Sequence, residues 1–174
     1  MGPLQNKIIA RFPYLLGIVP IILILDQISK NWILDNLRKG QSRTVLDGFF
    51  HIVHVHNTGA AFGLFSTWKQ SSFILTIISV LAILCILVYF FWMQENNRLT
   101  LVALSLVVAG AIGNLIDRFR FGYVIDFIDW HYKEVYHWPA FNIADSAITL
   151  AMGLLLIELI RDFKRHRLVQ REAS

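Results

Sequence analysis

Two aspartates, Asp126 and Asp145, flank an aromatic loop, and Asp145 stands in the first turns of the apolar stretch FNIADSAITLAMGLLLIELI, residues 141 to 160. A carboxylate within a hydrocarbon layer is costly, so its presence there marks a functional group by default. If the helices on either side of the loop lie side by side, the two acids approach one another. Two close carboxyls do not readily both ionise; one keeps its proton, and the pair then offers an acid and a base together. That is the equipment of a water-activating peptidase. The bland reading has Asp145 capping its own helix and Asp126 solvated in the loop.

Other residues carry weaker chemistry. His51, His54 and His56 invite a metal, but in an extended strand His54 and His56 share a face while His51 points away, leaving two ligands where zinc takes three or four. No metal and no other cofactor is expected. Ser29 and Lys30 are helix neighbours that do not face each other, so a serine–lysine dyad gives way to an Asp26–Lys30 ion pair at i, i+4. Ser146 has no histidine within a span to activate it. Cys85, the single cysteine, sits mid-span without a visible base and is read as a packing residue. Gly59, with Ala60 and Ala61, either admits a ligand close to the backbone or forms a tight turn.

The elements that must position these groups are membrane helices. The chain has 174 residues, of which 56% are hydrophobic and only 16% charged. Its mean hydropathy of +0.55 lies outside the usual balance of a soluble domain. Four stretches, 14 to 34, 71 to 93, 99 to 119 and 140 to 160, are long enough to cross the bilayer as helices. The first is preceded by Lys7 and Arg11 but has no small-residue cleavage site behind it, so it is expected to stay as an anchor. Pro20 and Gly17 fall inside it and should bend or loosen it. The second has no ionisable group besides Cys85 and reads as a structural wall or a lipid-facing span. Each of the others presents one polar stripe: Asp26, Ser29 and Lys30; Asn114, Asp117 and Arg118 behind Gly110 and Gly113; Asn142, Asp145, Ser146 and Thr149. Three stripes can meet.

Lys7, Arg11, Arg98 and the tail residues Arg161, Lys164, Arg165, Arg167 and Arg171 outnumber Arg38, Lys39, Arg43, Lys69, Arg120 and Lys133 on the other side. That bias puts both termini in the cytoplasm. The tail is expected to meet anionic lipid headgroups. Nucleic acid is a poor partner for the +4 net charge, because the basic residues are divided between two membrane faces. Both long loops then face outside. Residues 35 to 70 include FFHIVHVHNTGAAFGLF, which reads as strands at the membrane surface. Residues 120 to 139 carry Tyr123, Trp130, Tyr132, Tyr136 and Trp138, which settle at headgroup level. The expected architecture is a single membrane domain, 1–174: a mainly α four-helix bundle with a small extracytoplasmic β-cradle at about 35–68.

Five segments in this order, LDQISK (25 to 30), NTGAAF (57 to 62), GNLIDR (113 to 118), VIDF (124 to 127) and FNIADSAI (141 to 148), together resemble the lipoprotein signal peptidase family, also called signal peptidase II. The Gly-x-Gly-Asp signature of presenilin-type intramembrane proteases is absent. The resemblance implies a bacterial plasma (inner) membrane enzyme with four helices, a β-cradle and an active site at the outer leaflet. It implies a substrate, a prolipoprotein whose Cys carries a diacylglyceryl group, cut just before that Cys. Asp126 and Asp145 are the implied catalytic pair. Asn57, Gly59, Asn114, Arg118 and Asn142 fall in blocks that line the family's site, and Asp26 and Lys30 in one that supports it. A monomer without an obligate protein partner is expected. The competing reading from the residues is a small proton- or ion-coupled transporter with the acids, Lys30 and Arg118 as a relay, although no duplicated half is visible. A noncatalytic assembly or lipid-binding factor is a third.

Overall fold

A computed structural model describes residues 7–59, 71–93, 96–133 and 135–172. Four long helices, α1 (Phe12–Asn36), α2 (Ser71–Trp92), α3 (Arg98–Phe121) and α4 (Ile143–Glu172), are joined by a small antiparallel sheet of β1 (Ser42–Leu46), β2 (Phe50–Asn57), β3 (Val124–Tyr132) and β4 (Tyr136–His137), in that spatial order. All four helices are long and apolar enough to cross a membrane. Ala60, Ala61 and Phe62 of the NTGAAF segment, with the rest of the first loop to residue 70, lie outside the described residues.

The bundle is organised around α3. Over its most apolar stretch 56% of the residues are buried within the protein, against 6% for α1 and α2. Such a helix needs small residues where neighbours approach. At Gly113 a Cβ would stand 2.7 Å from Asp26 Oδ2, and at Gly110 it would meet the Ala144 carbonyl and Ile148 Cγ1. These two glycines let the polar faces of α1 and α4 close on α3. Helix α2 is the outer wall, and Cys85 lies exposed on it instead of packed in the interior as the sequence reading had it.

The helix ends depart from the hydropathy boundaries for identifiable reasons. Helix α1 runs unbroken through Pro20, as spans can when local adjustments satisfy the freed backbone groups. Helix α3 stops where Gly122 adopts a left-handed conformation (φ 78°) and returns its N–H to the Arg118 carbonyl. Helix α4 begins later than expected, because Phe141 is drawn into a bridge with Ile128 of β3. It also ends later, continuing past the apolar run as a basic helix that hydropathy does not see.

The sheet draws strands from both loops at this end. The second loop supplies β3, so Asp126 is a strand residue rather than a loop residue. Its β-branched and aromatic run VIDFIDWHY pairs with β2 in a register that opposes His56 to Ile125 and Val55 to Asp126, with an irregularity between Ile52 and Val55. Ile125 and Phe127 pack on Ile33 and Leu37 from the end of α1, which fixes the sheet over the mouth of the bundle. At the opposite end Arg11, read from sequence as a topological charge, is 1% exposed. Its guanidinium donates to the carbonyls of Phe90, Phe91 and Met93 at 2.8, 2.9 and 2.6 Å, supplying the orphan acceptors at the end of α2.

Candidate active site

The polar stripes of α1, α3 and α4 meet just beneath the sheet, with Asn142 at their centre. Because Phe141 exchanges backbone hydrogen bonds with Phe127 and Ile128, the next residue is delivered against Asp126. Asn142 then serves as N-cap of α4: its Oδ1 accepts the Asp145 N–H at 2.9 Å, and Asp145 Oδ2 accepts the Asn142 N–H at 3.3 Å. This is a reciprocal capping box, with Asp at the third helical position. The amide end of the same side chain donates to Asp126 Oδ1 at 2.7 Å. One residue therefore holds both carboxylates.

Each acid has a second amide partner. Asn57, at the end of β2, donates to Asp126 Oδ2 at 2.9 Å while its Oδ1 accepts the Gly59 N–H at 2.9 Å. Asn114 of α3 donates to Asp145 Oδ1 at 2.7 Å and accepts from Lys30 Nζ at 3.2 Å and from Asn142 Nδ2 at 3.2 Å. Asp126 is 1% exposed. Burial, reinforced by the neighbouring Asp145 charge, pushes its carboxyl up to about 7, against the hydrogen bonds from Asn57 and Asn142 that favour the anion. Arg118 is half-buried within electrostatic reach of Asp145, Asp126 and Asp117.

Behind this layer lies a dry ionic cluster. Lys30 Nζ is 2.9 Å from Asp26 Oδ2 and 2.9 Å from Asp117 Oδ2, and all three residues are at most 1% exposed. Both acids also reach backbone: Asp117 Oδ2, besides pairing with Lys30, accepts the N–H of Ile125 at 3.0 Å, and the other oxygen of Asp26, Oδ1, accepts the N–H of Ala144 at 3.0 Å. Ile125 and Ala144 immediately precede Asp126 and Asp145, so the cluster grips the backbone of both elements that carry the pair.

Asp126, Asp145, Asn57, Gly59, Asn114, Asn142, Asp26 and Lys30 thus converge on one region, with Arg118 beside it. Asp117, on the polar stripe of α3, supports the site as the second anion of Lys30. Gln27, which donates to Asp26 and Asp117 at 3.1 and 3.2 Å, was not singled out; its place one residue after Asp26 was the only signal. Ser29 and Ser146 bond back to the carbonyls of Asp26 and Asn142, so neither is presented as a nucleophile. His54 lies 2.9 Å from the Leu37 carbonyl and 3.0 Å from His56, and His56 stacks on Tyr123. Burial, then His54 and Lys39, lower the His56 imidazole below its usual value. His51 lies apart from both, beside Asp129 and His131.

A buried acid pair, held by amides at the mouth of a polar-cored four-helix bundle, is the layout of a membrane aspartic hydrolase. Comparison with known proteins narrows this class. Signal peptidase (SPase) II is the family that matches residues 18–161. The lipoprotein signal peptidase of Clostridium tetani is 41% identical over 145 residues, 83% of this chain and 91% of that protein. Those of Geobacter sulfurreducens (43% over 143 residues, 82% and 89%) and Syntrophotalea carbinolica (40% over 159 residues, 91% and 98%) are similarly close. A bacterial membrane enzyme solved by the in meso method superposes with a TM-score of 0.78 at 34% identity, covering 86% of this chain and 89% of that one. The chain belongs to the signal peptidase II family, whose members are membrane aspartic peptidases.

Proposed function

We propose that this protein removes the signal peptide from diacylglyceryl-modified prolipoproteins, cutting immediately before the lipidated Cys, with Asp126 and Asp145 as the catalytic pair. The observation that carries the reading is the suspension of both carboxylates from Asn142, with Asp126 pushed up to about 7. At neutral pH such a pair holds one proton between its members. The ionised member removes a proton from water as the oxygen attacks the scissile carbonyl carbon, while the protonated member donates to the carbonyl oxygen. The tetrahedral diol then collapses: a diol hydroxyl returns a proton to the second acid, the first gives its proton to the leaving nitrogen, and the C–N bond breaks. The signal peptide leaves with a new carboxyl, the lipidated Cys keeps a free amine, and no covalent acyl-enzyme forms. Asn57, Asn114, Asn142 and Arg118 are the groups available to hold the substrate backbone or the developing oxyanion, a role worth about 3–4 kcal/mol per well-aimed donor.

The substrate reaches this site from the bilayer, its acyl chains between helices. The sheet and the acid pair face the outer leaflet, both termini lie in the cytoplasm, the basic end of α4 meets anionic headgroups, and the working unit is a monomer. The deciding experiment presents a lipidated preprotein to purified protein in detergent. Wild type should cleave it, whereas Asp126→Asn and Asp145→Asn should each lose at least about 10²–10⁴-fold in rate while keeping a wild-type thermal transition. Undiminished turnover by Asp145→Asn would remove that residue from the mechanism.

A further inference from the structure

We propose that His51, Asp129 and His131 form a zinc site on the sheet, separate from the acid pair. His51 of β2 and Asp129 of β3 are direct cross-strand partners, and His131 follows Asp129 at i+2, hence on the same face. Three donors from two strands therefore converge. Asp129 Oδ2 stands 3.9 Å from His51 Nδ1 and 3.8 Å from His131 Nδ1. The two imidazole rings are 4.1 Å apart at a tilt of 48°, and one ligand atom from each residue lies within 4.8 Å of the others. Donors around a tetrahedral zinc ion stand roughly 3.4 Å apart. Closing the cluster onto an ion thus needs side-chain rotations that shorten these separations by about 0.4 to 1.4 Å.

The donor chemistry suits a borderline divalent metal such as zinc rather than a hard cation. Two imidazoles and one carboxylate are a common protein ligand set for zinc, with water completing the tetrahedron. Magnesium and calcium favour oxygen-only shells. The His131 side chain is fully covered, while those of His51 and Asp129 retain 14% and 13% exposure, so the cluster is largely dry with one open side. The sequence favours no such site, because the three histidines of β2 point to opposite faces; the partners of His51 come from a different strand. The pair His54 and His56 offers no equivalent, since no third His, Cys or carboxylate donor joins them among the described residues.

The ion would not touch the scissile bond. Asp129 lies three residues along β3 from Asp126, roughly 10 Å away and on the opposite face. Its effect would be to clip β2 to β3 beside the irregularity between Ile52 and Val55, steadying the strand that presents Asp126.

Full-length protein in detergent, stripped with chelator and dialysed, is titrated with Zn²⁺ against a chromophoric competitor, with Co²⁺ as a spectroscopic reporter. One Zn²⁺ per chain should bind with Kd below about 10 µM, Co²⁺ should give a tetrahedral absorption, and zinc should raise the thermal midpoint. Removing a ligand should cost no less than loss of an outer-shell partner, so His51→Ala and the near-isosteric Asp129→Asn should bind at least about tenfold more weakly. His56→Ala should bind as wild type does. Absence of saturable binding, unchanged binding in both His51→Ala and Asp129→Asn, or its loss in His56→Ala would overturn the proposal.

Discussion

Asn142 does two jobs with one side chain, and they can be separated. Serine is a good N-cap but too short to reach Asp126, so Asn142→Ser should keep the start of α4 to within about 0.5 kcal/mol. Its cleavage rate should nevertheless fall by about tenfold or more, as expected when an aligned polar contact in a catalytic site is lost. Equal losses of stability and rate would mean that the cap alone matters. Asp126 predicts a pH dependence. Its carboxyl sits at about 7 in the folded protein, above the ordinary 3.9 of an unfolded chain. The folded state therefore binds the proton more tightly, and stability from this group falls as pH rises from about 4 to 7, then levels. The thermal midpoint of wild type should decline across that window more steeply than that of Asp126→Asn. Cleavage should decline above about pH 7, as the pair loses the proton it must donate.

At the level of elements, the Lys30 cluster acts as a clamp between α1, α3 and the two segments that present the acids. Lys30→Met would leave Asp26 and Asp117 as buried anions without their cation, a change that costs about 3–5 kcal/mol when one partner of a buried pair is removed. A large drop in thermal midpoint with lost cleavage is expected; the triple replacement with Asp26→Asn and Asp117→Asn should recover part of the midpoint. The helices were legible in the sequence because a span of apolar residues has few alternatives. The polar stripes were legible because helical spacing puts Asp26 with Lys30 and Asn142 with Asp145. The third strand was not. In VIDFIDWHY two acids interrupt the apolar pattern, and only a partner edge on β2, far off in sequence, makes a strand the better solution. The second anion of Lys30 was hidden for the same reason: Asp117 and Arg118 are neighbours in the chain, but the rotation of α3 turns the acid inward to Lys30. Cys85 was misplaced because a wholly apolar helix does not reveal which side faces lipid.

For the whole molecule, one end holds the sheet and the acid pair and the other holds the Arg11 cap and both ends of the described chain. With Cys85 replaced by Ala, single cysteines at exposed Tyr136 and Lys164 should report sidedness in intact cells: an impermeant maleimide should label Tyr136→Cys and spare Lys164→Cys. The reverse pattern would invert the topology. The binding of both acids by the first residue of the last span has a further effect on how the protein comes into being. Until the fourth helix has inserted and docked, neither acid has its shared amide, so a nascent chain carries no armed site among the other polypeptides of the membrane. With Asp126 and Asp145 as the proposed catalytic pair, proteolytic competence would come only with completion of the bundle, and a stalled copy should be inert.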